Sequence, residues 1–98
     1  MIMGDKIYDK FNDVYEAILK LKTVEEVKNF FKDICTINEL EAIFQRLEVA
    51  KLLVEKKNYQ EISRLTGAST ATISRVSRCI NYGAGGYQLV LGETKENK

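Results

Sequence analysis

Apolar residues recur along this chain at spacings of three and four, the period of helices rather than strands. Ile7, Phe11, Val14, Ile18 and Leu21 predict a first helix, from a cap at Asp5 to about Lys22. Tyr8, Tyr15 and Leu19 widen its apolar face beyond what a single neighbouring helix covers. That width fits ordinary core packing and a subunit interface equally well. Thr23 and Glu26 form a capping box for a second helix, about Val24 to Ile34, with Val27, Phe30, Phe31 and Ile34 apolar. Thr36 and Glu39 form another and open a long third helix to about Lys56. Leu40, Ile43, Phe44, Leu47, Leu52 and Leu53 mark its buried side, and Ala42 and Ala50 allow close approach. Lys56 and Lys57 sit where the negative end of a helix favours cations.

From Asn58 the pattern shortens to two small helices joined by a tight turn. Asn58 and Glu61 cap the first, about Tyr59 to Thr66, whose apolar face is Ile62 and Leu65. Gly67 stops it, since glycine takes positive φ without a Cβ penalty. Ser69 or Thr70 caps the second, which turns Ile73, Val76 and Ile80 inward. Counting Tyr59 as first, the small Ser63 is fifth, glycine ninth, Ile73 fifteenth and Val76 eighteenth. This is the spacing of a helix-turn-helix. Thr70, Ala71, Ser74, Arg75 and Arg78 remain on the outer face, small, hydroxylated or cationic as a major-groove surface needs.

After Tyr82 the run Gly83 to Gly86 breaks the helix. Tyr87 to Gly92 is apolar enough to dock, and Glu93 to Lys98 is expected to fray. The chain therefore reads as a helical domain over 1–82, with the helix-turn-helix at about 58–81, followed by a tail over 83–98.

Net charge is only +1 over 98 residues, yet its distribution is uneven. Residues 1–58 carry ten Lys/Arg against eleven Asp/Glu, while residues 59–82 carry Arg64, Arg75 and Arg78 against Glu61 alone. Histidine and proline are absent, which removes the commonest general base and metal ligand. Cys35 and Cys79 lie in helical, apolar contexts and read as buried free thiols. No nucleophile–base constellation, metal cluster or cofactor motif is present, so an enzyme is not expected. No run reaches membrane-spanning length and the first residues lack a signal-peptide core, so the expectation is a cytoplasmic protein without a membrane partner.

TINELEAIFQRLEVAKLL (Thr36 to Leu53) followed by NYQEISRLTGASTATISR (Asn58 to Arg75) resembles the tryptophan-repressor superfamily, in the branch carrying the phrase TGASTATISRV…INYG. The resemblance covers about Thr36 to Asn81. It implies an all-α, intertwined homodimer that binds a palindromic operator in double-stranded DNA as a repressor. By family position Gln60, Thr70, Ala71 and Ser74 face DNA, and with Ser69, Arg75 and Arg78 of the second helix they make up the expected DNA-binding set. Arg46 and Arg75 match the two arginines that flank the tryptophan ligand in the repressor itself, although helix context alone pairs Arg46 with Glu41 or Glu48. Val76 stands where the tryptophan-binding proteins have glycine, and Cys79 where a ligand-facing serine is expected. The effector pocket formed by Arg46, Arg75, Val76 and Cys79 is therefore expected to be closed, with no tryptophan cofactor. The competing function is a protein–protein adaptor of the transcription machinery built from the same two-helix unit.

Overall fold

The computed structural model describes residues 6–92, so the expected Asp5 cap and the expected frayed end from Glu93 lie outside the described residues. Every regular element within them is a helix: α1 (Lys6–Asp9), α2 (Asn12–Leu19), α3 (Val24–Ile34), α4 (Ile37–Val54), α5 (Tyr59–Thr66), α6 (Thr70–Tyr82) and α7 (Gly86–Leu91). The all-α reading holds. The chain divides into two compact units, Met1–Ile37 and Asn38–Lys98.

In the first unit, the single helix expected to reach Lys22 is instead two. The break falls at Lys10 and Phe11, where the Phe11 N–H donates to the Tyr8 carbonyl three residues back. Asn12 and Asp13 open the next segment, and such side chains compete with the backbone for its hydrogen bonds and favour helix starts over interiors. At the other end Lys20 and Leu21 again donate three residues back, to Ala17 and Ile18, which tightens and closes α2 at Leu19. The α3 boundaries match the expectation. Thr23 Oγ1 accepts from the Glu26 N–H at 3.0 Å, and Glu26 Oε1 accepts from the Lys22 N–H at 2.7 Å, one residue further out than a reciprocal box would have it. No described residue of these helices is fully buried: Phe11, Val14 and Tyr15 remain 39–44% exposed and Leu19 83%.

The core lies in the second unit. Val49 and Ala50 from α4, Ile62 from α5, Ala68 from the turn, and Ile73 and Val76 from α6 close on one another, with Leu52, Leu53, Ile80, Tyr87 and Leu91 packed around them. Two expectations need correcting here. Ile43 and Phe44 were placed on the buried side of α4 but stay 45% and 60% exposed, because α5 and α6 cover only the Val49–Ala50 side of that helix. Leu65 was paired with Ile62, yet it turns toward the open side of α4, where with Phe44 and Leu52 it lines a surface depression. Apolar residues on α4 are therefore not confined to its Val49–Ala50 side, the pattern of a helix that finishes inside a larger core than one small unit supplies.

Helix α4 ends at Val54 with a reciprocal pair of bonds, Lys57 N–H to Leu52 O and Lys56 N–H to Leu53 O, both 3.0 Å. This Schellman closure normally uses glycine at its left-handed position. Here Lys56 occupies it, at φ 70°. The tail is more ordered than its composition suggests. Helix α6 stops at Gly83, where a Cβ would run into the Cys79 carbonyl oxygen, and α7 then packs back through Tyr87 and Leu91.

Candidate nucleic-acid interface

The turn between α5 and α6 is held by side-chain hydrogen bonds and one left-handed glycine, and each traces to a specific residue. Asn58 Oδ1 accepts from the Glu61 N–H at 2.8 Å and starts α5. Gly67, at φ 76° in the left-handed region, ends it. The Ser63 hydroxyl donates to the Ala68 carbonyl at 2.8 Å, which explains a small hydroxyl residue at that position. Thr66 Oγ1 donates to Ile62 O and accepts from the Ala68 N–H. Ser69, rather than Thr70, caps α6: its Oγ accepts from the Thr72 N–H at 3.1 Å and sits 3.3 Å from the Thr72 hydroxyl. Gln45 Nε2 then ties the turn to α4 by donating to the Thr66 carbonyl at 3.3 Å.

This framework leaves one face of the two-helix unit open. Gln60 at the start of α5 is exposed, as are Ser69, Thr70, Ala71, Ser74, Arg75 and Arg78 along α6, so all the residues expected on the DNA-facing side are accessible. Ser69 is the one member whose hydroxyl is already engaged, as the cap. The only acidic side chain in α5 or α6, Glu61, faces Arg64 at 3.9 Å. Arg75 and Arg78 form no ion pair among the described residues, so both guanidinium groups keep their donors free.

The effector-pocket residues behave differently. Val76 is 2% exposed and part of the core. Arg46 is exposed and, among the described residues, forms no ion pair with Glu41 or Glu48; Glu48 pairs instead with Lys51 at 3.3 Å. Cys79 and Cys35 are free and half-buried, not buried as expected. The residue missed by sequence reasoning is Tyr87 of α7. Burial raises the pKa of its hydroxyl above the ordinary tyrosine value, Cys79 adds to the rise, and Arg46 and Arg75 oppose it. Those three side chains are thus its electrostatic neighbours. The only sequence signal for this was the apolar character of Tyr87 to Leu91 after the glycine break.

Among the described residues no cluster of His, Cys, Asp or Glu could hold a metal, and no helix is long and apolar enough to cross a membrane.

An N-capped helix, a glycine turn and a second helix with a free cationic face, packed on one long helix, define a helix-turn-helix regulator. Residues 9–95 match the Trp repressor protein family, and the chain belongs to that family, whose members are helical DNA-binding regulators rather than enzymes. It is 50% identical over 95 residues to the Bacillus subtilis (strain 168) protein YerC, itself uncharacterized, covering 96% of this chain and 91% of YerC. A TrpR like protein from Eubacterium eligens ATCC 27750 is 51% identical, with a TM-score of 0.79 over 85% of this chain and 86% of that one. A candidate Trp repressor from Staphylococcus aureus superposes with a TM-score of 0.82 at 39% identity, covering 93% and 92%.

Proposed function

We propose that this protein is a sequence-specific transcriptional regulator that represses by binding a palindromic DNA operator as a homodimer, and that it does so without tryptophan. The observation that carries the reading is the open face of α5 and α6, where Gln60, Thr70, Ala71 and Ser74 stand exposed beside two unpaired arginines. Arginine reads guanine O6 and N7 through a bidentate pair, or holds phosphate, while glutamine and hydroxyl side chains contact base edges or bound water. Ser69 contributes through the cap that orients the first turn of α6.

Dimerisation is supported by unspent apolar surface. Phe11, Val14, Tyr15, Ile43 and Phe44 are all more than a third exposed, and the last two lie on a side of α4 that α5 and α6 leave uncovered. A shared core over residues 1–82 would cover these faces and set two reading helices about 34 Å apart, one turn of duplex. Sedimentation at micromolar concentration that found only an 11.2 kDa species would refute it.

Independence from tryptophan rests on Val76. Its isopropyl group fills core volume that a bound indole would need, and interiors hold few voids. Overpacking such a site costs about 1–3 kcal/mol. Calorimetric titration should show no saturable tryptophan site.

Selection of bound sequences from a random duplex library tests the whole proposal, with Arg75→Ala as control. A palindromic consensus is expected, with affinity falling steeply as salt rises. If no sequence is enriched at low salt, the DNA reading fails and the same two-helix face is left to the adaptor reading.

A further inference from the structure

We infer that Gln45 of α4 is a positioning residue: it fixes the angle at which the α5–α6 unit sits on the long helix, and thereby sets how strictly the protein discriminates among DNA sites. The consequence for DNA rests on the reading proposed above; the positioning itself does not. Gln45 Nε2 donates to the Thr66 carbonyl at 3.3 Å, joining residues 21 positions apart. Thr66 is the last residue of α5, so its carbonyl is among those that a helix end leaves without an internal partner. A carbonyl can only accept, so the bond also fixes which way the Gln45 amide points.

The location of this bond gives it leverage. Gln45 stands one turn before Val49, on the same side of α4. Val49 and Ala50 hold the two-helix unit by apolar contact with Ile62, Ile73 and Val76, and such contact has no preferred direction. Beside Gln45 that packing gives way to an open depression of about 530 Å³, bordered by Phe44, Leu52, Leu65 and Thr66. Leu65 is 53% exposed, so its side chain does not wedge the end of α5 in place. The Gln45 amide spans this loosely packed edge and gives it a direction.

Thr66 passes that constraint on. Its hydroxyl donates to the Ile62 carbonyl and accepts from the Ala68 N–H, and the Ala68 carbonyl accepts from Ser63. The next residue, Ser69, caps α6. A displacement of Thr66 is therefore carried through Ala68 into the first turn of α6, where Thr70 and Ala71 stand exposed. Functional groups need to be held within about 10–20° of their working geometry. A tilt of about 15° over a helix diameter of about 10 Å moves a side chain by about 2–3 Å. That is enough to lose a hydrogen bond to a base edge, and in a dimer it alters the spacing of the two heads. It is too little to take a long arginine out of reach of phosphate. Loss of the tie should therefore weaken specific binding and spare binding to random DNA.

The test compares the full-length parent with Gln45→Met, which keeps the side-chain length and loses the donor, and Gln45→Lys, which keeps a donor of similar reach. Each is first matched to the parent by circular dichroism below its melting transition. Fluorescence anisotropy then gives affinities for the selected operator, for random duplex, and for operators whose half-sites are moved one base pair closer or further apart. Gln45→Met should bind the operator about five- to thirtyfold more weakly, as loss of one hydrogen bond in each of two chains implies. Its affinity for random duplex should change by less than about twofold, and its penalty for altered spacing should shrink. Gln45→Lys should restore most of the ratio of operator to random affinity. An unchanged ratio and spacing preference in Gln45→Met, or operator and random affinities that fall in step, would overturn the inference. Residual dipolar couplings of the DNA-free protein supply an independent readout. One alignment frame should fit α4, α5 and α6 in the parent, and α5 and α6 should lose order relative to α4 in Gln45→Met. Equal order in the two proteins overturns the positioning role whether or not DNA binds. Reduced order in a protein that enriches no operator would sustain the positioning role and refute the DNA reading alone.

Discussion

Gly67 is the pivot between α5 and α6, and the consequence of giving it a side chain follows from its surroundings. At φ 76° the residue lies in the left-handed region, and no atom lies within 4 Å of where a Cβ would stand. Gly67→Ala therefore creates no clash, and its cost is backbone strain alone, about 1–2 kcal/mol for an L-residue in this conformation. Against that, alanine restricts the unfolded chain and returns about 0.4–1 kcal/mol. The net loss is about 0.5–1.5 kcal/mol, a few degrees in Tm for a domain of this size. Asparagine tolerates the left-handed region better, so Gly67→Asn should fall between alanine and the parent. Urea denaturation followed by circular dichroism, at one fixed protein concentration so that assembly does not confound the comparison, measures both. The hydrogen bonds of the turn come from Asn58, Ser63, Thr66 and Ser69, so below the transition the helices should keep their geometry. If Gly67→Ala proves as stable as the parent, or asparagine worse than alanine, backbone strain is not what places glycine there.

The mirror experiment is Lys56→Gly, which removes a left-handed lysine from the end of α4 and should raise stability by about 0.5–1 kcal/mol in the same assay. Gly83→Ala should cost more than Gly67→Ala, because its Cβ would meet backbone at Cys79, and hydrogen exchange should show α7 losing protection first. Ile73→Ala removes a fully buried side chain and should cost about 2–5 kcal/mol by thermal or urea melting. Tyr87 titrates above the ordinary tyrosine range because burial disfavours its phenolate. The folded state therefore holds that proton more tightly than the unfolded state. Its contribution is complete below pH of about 10 and is lost as pH rises through the folded value, so Tyr87→Phe should remove part of the alkaline loss of stability seen in the parent.

The elements that could be read from the sequence are those whose boundary is chemical and local. Thr23, Asn58 and Gly67 fix limits of α3 and α5: each N-cap oxygen accepts from the expected N–H, at Glu26 and Glu61, although the Glu26 carboxylate reaches back to Lys22 and not to Thr23. The exposed set from Gln60 to Arg78 was equally legible, because the positions that face inward, Ile62, Ile73 and Val76, leave only one other face. What failed was long-range. The interruption at Phe11 ignores a continuous apolar repeat, since periodicity reports which side is apolar but not whether the backbone ladder is unbroken. Burial on α4 was misjudged at Ile43 and Phe44 because an apolar residue does not announce which neighbour will cover it. Tyr87 escaped for the same reason. The apolar run after the glycine break signalled that Tyr87 docks, but not that it docks beside Cys79, Arg46 and Arg75.

The charge distribution places a constraint on how such a regulator finds DNA. A net charge of +1 gives little long-range attraction toward a polyanion, so steering contributes weakly to the association rate. Affinity must then be built locally, from few cations held where they count. Three features serve that end: Glu61 stands by Arg64 and not by Arg75 or Arg78, Ser69 and Gly67 fix the start of α6, and Gln88 grips its last turn at Ile80. With so few phosphate-directed cations per chain, each carries a large share of the salt slope, and Arg75→Ala or Arg78→Ala should each reduce it by about one unit per chain while costing about 1–3 kcal/mol where the arginine makes a bidentate base contact. Fluorescence anisotropy on the selected operator across a salt series measures slope and affinity together. An unchanged slope in both variants would show that these arginines do not meet DNA, and that the open face of α6 serves another partner.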